Sequence, residues 1–324
     1  MKVNAAVAAS ITRYQSELKA YILRHLHLRS QDGAPWNITF EKELIVTERE
    51  DPVDLVATLR LTPPAQVSPR TFTLESDLVE HQVVSHKTFV VLKSDWKTGV
   101  FSNESKLLDV LRYLNNSVRV DLGEGSAWRG FLGTFKIGIR HIAEGTDHLL
   151  FLFMLMLPAP LSAKRGRWAG FVGVKASLSQ LIKIVTAFTL GHSLTLIIGA
   201  VGWLRPPPAP VEILIAGSVL VTAVHAFRPI FPLREFWIAA GFGLIHGLAF
   251  STVVAEFGLG ARELALSVLG FNLGIEAMQL ALVCAAVPAL LVLAKTSRYH
   301  WVSVPSALFG MVMAGVWLRQ RLPH

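Results

Sequence analysis

Residues 141–148 read His-Ile-Ala-Glu-Gly-Thr-Asp-His, and an uninterrupted apolar run, Leu149–Leu157, follows directly. Charge is costly inside a membrane, so ionisable residues at the mouth of a membrane helix usually mark a functional site. If the segment is one helix turning about 100° per residue, four polar side chains share a face about 120° wide. They are His141, Glu144, Asp147 and His148. Imidazoles and carboxylates that converge in this way are donors for a divalent metal ion.

The composition is that of a membrane protein with a soluble domain attached. The 324 residues are 52% hydrophobic and 17% charged, whereas globular domains average roughly 25% charged. Residues 1–130 carry ordinary charge and alternating patterns, whereas residues 131–324 carry most of the long apolar runs. We therefore predict a soluble β-rich domain with a linker over 1–128 and a transmembrane domain over 129–324. Cys284 is the single cysteine, which excludes an intrachain disulfide and a thiolate cluster.

The N-terminal domain shows strand periodicity. Residues 11–28 suit a short helix, alone or leading into a strand. Alternating patterns follow, separated by turn residues at Asp51-Pro52 and Pro63-Pro64. The strand-like runs cover 37–47, 55–61, 71–75 and 87–92. This spacing predicts a small antiparallel sandwich, and the polar segment 101–130 suits a linker.

The C-terminal domain is predicted to be a bundle of about six transmembrane helices. The expected spans are 134–157, 180–202, 210–228, 236–254, 265–293 and 302–318. Loop charge predicts their orientation, because the side richer in Lys and Arg faces the cytoplasm. The richer side carries Lys164, Arg165, Arg167, Lys175, Arg228, Arg234, Lys295 and Arg298. The poorer side carries Arg205, Arg262, Arg319 and Arg321.

This charge distribution predicts an inner-membrane protein whose N-terminal domain is periplasmic. Residues 1–10 lack the apolar core of a signal peptide, so we expect that a signal peptide has been lost or trimmed. The net charge of +8 is explained by the loops. No basic and aromatic stripe of the kind that binds nucleic acid is present, so the expected partners are a metal ion and the lipid bilayer.

Polar residues recur within the other spans and are predicted to converge on the first motif. The predicted metal ligands are His141, Asp147, His148, His192, His246 and Glu276, and the predicted supporting residues are Glu144, Thr189, Ser193, Asn272 and Gln279. Two other roles stay open, because such side chains also bond helices together and carry protons. His225 is predicted to be interfacial. The predicted surface histidines are His25, His27, His81, His86, His300 and His324.

The donor types favour nickel, cobalt or zinc, because imidazole and carboxylate without thiolate suit borderline divalent ions. The motifs also resemble the HupE/UreJ family of bacterial membrane proteins over residues 130–320. The matching stretches are His141…Asp147-His148, Phe188-Thr-Leu-Gly-His-Ser-Leu-Thr, Val211-Glu-Ile-Leu-Ile-Ala-Gly-Ser and His246-Gly-Leu-Ala-Phe. The N-terminal extension looks like that of the branch with a periplasmic β-domain.

The resemblance implies nickel or cobalt uptake for hydrogenase and urease, with His141, Asp147 and His148 as the metal site. One departure is Ala143-Glu144-Gly145, where the nickel permeases tend to have Pro-Gly. We therefore expect a permease for nickel, cobalt or zinc and no organic cofactor. An intramembrane metallohydrolase, with Glu144 or Asp147 as base and Ser193 as a hydrogen-bonding group or nucleophile, stays open. So does a metal sensor or accessory protein whose β-domain binds a periplasmic partner.

Overall fold

The computed structural model describes residues 10–47, 54–101, 105–204, 206–255 and 259–322. The chain divides into two compact units, residues 1–126 and 127–324. The predicted turn at Asp51-Pro52, the stretch 1–9 in which a signal peptide was sought, Arg205 and His324 lie outside the described residues.

The N-terminal unit begins with a helix that leads directly into a strand, which is the second of the two arrangements predicted for residues 11–28. Its elements are α1 (Gln15–His25), β1 (Leu26–Ser30), β2 (Asn37–Phe40), β3 (Ile45–Thr47), β4 (Asp54–Val56), β5 (Leu59–Thr62), β6 (Thr71–Ser76), β7 (Thr88–Leu92), β8 (Lys106–Leu111) and β9 (Ser117–Asp121). β1, β6 and β9 form a three-stranded antiparallel sheet in the order β1–β6–β9. The pairs β2–β5, β3–β4 and β7–β8 each form a two-stranded sheet. The predicted sandwich is not confirmed by this arrangement.

The core of this unit contains residues from the segment predicted as a linker. In β9, Val118 and Val120 are buried while the residues between and around them are exposed. Both valines pack with Leu111 of β8, which is fully buried, against Phe72 and Leu74 of β6. The linker prediction for 101–130 is therefore wrong, because its period-two pattern buries one face of a paired strand.

An ion pair fastens the loop before β6 to the loop after β7. Arg70 donates two hydrogen bonds to the carboxylate of Asp95, at 3.1 and 2.6 Å, and two more to the carbonyl oxygens of Leu122 and Gly123. Burial alone would raise the pKa of Asp95. The hydrogen bonds from Arg70 and Thr98 outweigh that effect and lower the pKa below its ordinary value.

We predict that Arg70→Met destabilises the N-terminal unit by about 1–3 kcal/mol at pH 7, because it leaves the Asp95 carboxylate without its charged partner. Because the pKa of Asp95 is lower in the folded chain than in the unfolded chain, the carboxylate stabilises the fold at pH values above its unfolded pKa. That stabilisation is lost as the pH falls through the folded pKa. The difference in the free energy of unfolding between wild type and variant should therefore become smaller in acid. Hydrogen-exchange protection of residues 117–121 in the full-length chain, at pH 7 and pH 3, measures this. Equal protection of the two proteins at pH 7 would contradict it.

The C-terminal unit is helical. Its helices are α2 (Ala127–Glu144), α3 (Thr146–Met156), α4 (Val174–Ala200), α5 (Pro208–Phe227), α6 (Glu235–Ala255), α7 (Ala261–Ala294) and α8 (His300–Arg321). A hairpin of β10 (Leu161–Lys164) and β11 (Arg167–Phe171) lies between α3 and α4. This hairpin carries three of the loop cations used to orient the chain, Lys164, Arg165 and Arg167.

Among the described residues, four helices are long and apolar enough to cross a membrane. They are Val174–Ala200, Pro208–Phe227, Ala261–Ala294 and Ser297–Arg321, and they correspond to the second, third, fifth and sixth predicted spans. The fourth predicted span corresponds to α6 (Glu235–Ala255). The first, predicted as one helix over 134–157, is two helices broken at Gly145. Six continuous spans are therefore not confirmed.

The helices of this unit pack in pairs, and glycines bring two of the pairs into backbone contact. α4 packs on α6, α2 on α7 and α5 on α8. A Cβ at Gly191 would overlap the carbonyl oxygen of Ala240, and one at Gly243 would overlap that of Phe188. Gly138 and Gly274 play the same part between α2 and α7. Small residues at such crossings let helix backbones approach closely in membranes.

We predict that Gly243→Ala lowers the thermal stability of the full-length chain in detergent. The added methyl group would force α4 and α6 apart, and overpacking of this kind costs about 1–3 kcal/mol. Gly241→Ala, on the same helix, is the matched control, because a Cβ there meets nothing within 4 Å. Equal melting temperatures for the two variants would show that the close contact does not stabilise this helix pair.

Candidate metal site

The helix break at Gly145 shapes the first motif. Gly145 has an extended conformation, with φ −75° and ψ 92°. A Cβ there would lie 2.6 Å from Nδ1 of His148 and 2.7 Å from the carbonyl oxygen of His141. The glycine therefore lets the His148 imidazole pack against the backbone, and the two histidines lie on different helices.

Four imidazoles from four helices meet in the core of this unit. They belong to His141 of α2, His148 of α3, His192 of α4 and His246 of α6. Ring centroids are 4.6 Å apart between His141 and His148, 4.9 Å between His148 and His246, and 6.1 Å between His141 and His192. The rings of His148, His192 and His246 are buried, and His192 is completely inaccessible to solvent. The predicted convergence of these four histidines is therefore present.

A chain of hydrogen bonds runs through half of this cluster. His148 Nδ1 donates to the Asp147 carboxylate at 3.0 Å, since a carboxylate can only accept. His148 Nε2 lies 3.3 Å from His246 Nδ1, and His246 Nε2 lies 3.0 Å from the hydroxyl of Ser218. Asp147 thus fixes the orientation and tautomer of His148, which is the part that a carboxylate plays behind a metal-binding imidazole.

His192 occupies the other half and has a different environment. Both of its ring nitrogens are buried, and neither has a hydrogen-bond partner among the described residues. The ring packs nearly parallel to Phe188 and Phe271, with centroids 6.0 and 6.1 Å away. A buried polar group without a partner costs about 1–3 kcal/mol. The folded chain therefore keeps an imidazole with unused nitrogens next to three other imidazoles.

The donors of this cluster are spread more widely than in a closed metal site. Within the described part of the chain, three His, Cys, Asp or Glu donor atoms that all lie within 4.8 Å of one another occur only in the N-terminal unit. A closed tetrahedral site with bonds of about 2.1 Å has donors roughly 3.4 Å apart. The four rings must move closer together to hold one ion.

Glu144 and Glu276 were predicted to add carboxylates to the site beside Asp147, but the structure places them differently. Glu144 does not share a face with the cluster, because the helix ends there. Its side chain is 73% exposed and pairs with Arg140 at 3.8 Å. Glu276 on α7 is half-buried. Within the described part of the chain, no hydrogen bond or ion pair joins Glu276 to any of the four histidines.

The remaining predicted supporting residues make helix contacts. Thr189 of α4 donates to the Gln279 side chain of α7 at 3.2 Å, which joins these two helices. Ser193 and Asn272 donate to carbonyl oxygens one turn earlier on their own helices. The Asn272 side-chain oxygen is buried without a partner among the described residues.

Sequence reasoning missed Ser218 as a site residue. Its signal was present, because Ser218, Thr222 and His225 are spaced i, i+4 and i+7 and share one helix face. All three are buried. His225 was predicted to be interfacial, but it is fully buried, and its Nδ1 faces the backbone amides of Ile230 and Phe231 at 3.3 and 3.5 Å.

The long apolar helices and their buried cluster of imidazoles and one carboxylate define a helical membrane protein with a polar core. Residues 117–321 match the model of the HupE / UreJ protein family, and the chain belongs to this family. Comparisons with curated protein sequences and with solved structures find no match.

We predict that Asp147→Asn weakens Ni²⁺ binding by the purified full-length chain about 10–100-fold, because the amide holds the His148 ring less firmly than the carboxylate does. Isothermal titration of the protein in detergent measures the affinity. Glu144→Gln removes the same charge three residues earlier, from an exposed side chain, and should leave the affinity unchanged. If both variants bind like wild type, Asp147 does not orient a metal ligand.

Proposed function

We propose that this protein is a permease for a divalent transition-metal ion, which crosses the membrane through the cluster of His141, His148, His192 and His246. The observation that carries the proposal is His192, a buried imidazole with both nitrogens unpartnered beside three other imidazoles. A cation is the ligand that such a group accepts. Membership of the HupE/UreJ family, which is linked to nickel and cobalt transport, supports the same conclusion.

The types of donor group in the cluster determine which class of ion is carried. Imidazole nitrogens with one carboxylate behind them favour nickel, cobalt or zinc over the hard ions calcium and magnesium. The wide spacing of the donors also suits transport. An ion held in a closed site leaves slowly, whereas a permease must bind its cargo and then release it.

The membrane potential is the proposed source of energy. The sequence contains no Gly-x4-Gly-Lys-Ser/Thr motif for binding nucleotide phosphates. Inward movement of a cation gains about 2.3 kcal/mol per charge per 100 mV. With the orientation predicted from loop charge, the ion enters from the periplasm, passes the four histidines and leaves into the cytoplasm. Asp147 orients His148, and Glu276 is a candidate further along the route.

A proton relay is the second candidate, and one observation favours it. Asp147, His148, His246 and Ser218 form a continuous series of contacts between 3.0 and 3.3 Å. Such a series can pass a proton from ring to ring. A metal-independent proton flux in reconstituted vesicles would support this candidate, whereas flux that requires the metal would support a permease.

Hydrolysis is less well supported by the positions of the carboxylates. A metallohydrolase needs a general base that faces the metal-bound water. The Asp147 carboxylate already accepts a hydrogen bond from His148, and Glu144 is exposed beside Arg140. We therefore prefer transport to an enzymatic role.

The proposal is tested by metal uptake in cells that express the chain. We expect His192→Ala and His148→Ala each to reduce accumulation of nickel, cobalt or zinc by at least about tenfold, since each loses a ligand. His300→Ala is the control, because this exposed histidine bonds within its own turn, to the Ser297 carbonyl. Membrane levels of each variant are matched by immunoblot. Wild-type accumulation of all three metals by both cluster variants would overturn the proposal.

A further inference from the structure

Three side chains of the N-terminal unit meet at the end of its three-stranded sheet. β1 and β6 are antiparallel, with Leu26 opposite Ser76. His25 precedes that pair on one strand and Asp77 follows it on the other, so the register brings them together. The Asp77 amide donates to the His25 carbonyl at 3.2 Å. Four residues later, the His81 amide donates to the Asp77 carbonyl at 3.3 Å.

The side chains of these residues are close enough to share one ion. One donor atom from each of His25, Asp77 and His81 lies within 4.8 Å of the other two. The two imidazole rings are stacked, with centroids 4.2 Å apart and an angle of 6° between the planes. His25 and His81 were predicted to be surface histidines, and both are partly exposed. Their meeting was not predicted, because it depends on sheet register and one turn of backbone, which place both rings beside the same carboxylate.

The hydrogen bonds turn the same nitrogen of each ring towards Asp77. His25 Nδ1 donates to the Asp77 carboxylate at 2.8 Å, and His81 Nδ1 donates to the Asp77 carbonyl at 2.9 Å. Both acceptors are oxygens that can only accept. A divalent ion bound beside the Asp77 carboxylate would take the place of these Nδ1 protons, because an imidazole nitrogen must give up its proton to bind a metal.

The surroundings hold the group in place. The Tyr21 hydroxyl accepts a hydrogen bond from the Val79 amide at 3.0 Å, and its ring packs on both imidazoles. Glu80, next to His81, is fully buried, and its carboxylate oxygens have no hydrogen-bond partner among the described residues. Asp77 is 42% exposed, so the group opens to solvent on one side.

We propose that His25, Asp77 and His81 form a second binding site for a borderline divalent transition-metal ion, such as zinc, cobalt or nickel. Two imidazoles and one carboxylate suit these ions, and the open side leaves a coordination position for water. All three donors lie in the N-terminal unit, so the site does not depend on the permease proposal.

Cobalt(II) titration of the full-length chain, purified in detergent without a polyhistidine tag, tests this site. His148→Ala with His192→Ala serves as the background, so that the membrane cluster does not contribute. We expect this background to bind one Co²⁺ with ligand-field absorption bands in the visible region. Adding His25→Ala and His81→Ala should abolish the bands, and adding Asp77→Asn should weaken binding about 10–100-fold. His27→Ala removes an exposed histidine of β1 and should leave binding unchanged.

A further variant separates metal binding from folding. His81→Phe keeps a ring that stacks on His25 but removes the donor nitrogen, so loss of Co²⁺ from a variant that melts like the background supports the site. The proposal is overturned if the background binds no Co²⁺, or if Co²⁺ binding survives when both His25 and His81 are replaced.

Discussion

Contact between helix backbones at glycines is the constraint on which the membrane unit depends. Lipid is as apolar as leucine, so burying apolar surface does not drive helices together within a bilayer, and close packing must do so. Gly191 and Gly243 allow α4 and α6 to touch. His192 follows the first of these glycines, and His246 lies three residues beyond the second. The packing that holds the helices together therefore also sets where two of the four imidazoles lie.

The four rings are unequal because their surroundings differ. His148 and His246 are linked to Asp147 and Ser218, so their protons and lone pairs are used within the protein. His192 is enclosed by aromatic rings and has no such link among the described residues. In a medium of low dielectric constant, a hydrogen bond is strengthened and an unpartnered nitrogen becomes more costly. The nitrogens of His148 and His246 thus already have partners within the protein, whereas those of His192 are left for a ligand.

The hydropathy and the alternation of apolar and polar residues predicted the helices and strands well, because both patterns report whether each single residue is buried. Four long apolar helices and most strands of the N-terminal unit follow from them. Contacts between distant parts of the chain were harder to predict. The meeting of His25 with Asp77 depends on the register of β1 and β6, which no local pattern contains. The break at Gly145 was missed because a lone glycine is compatible with a continuous helix, and only the packing of His148 against it required the extended conformation.

That break divides the first motif between two bodies. The backbone keeps its bonding across it, since the Gly145 amide donates to the His141 carbonyl and the Leu149 amide donates to the Gly145 carbonyl. His141 moves with α2, which is fastened to α7, whereas Asp147 and His148 move with α3, which packs on α5. Gly145 is therefore the point at which the chain changes direction between the two histidines. A rotation of the backbone there would change the spacing between the His141 and His148 rings while leaving each packed pair of helices intact.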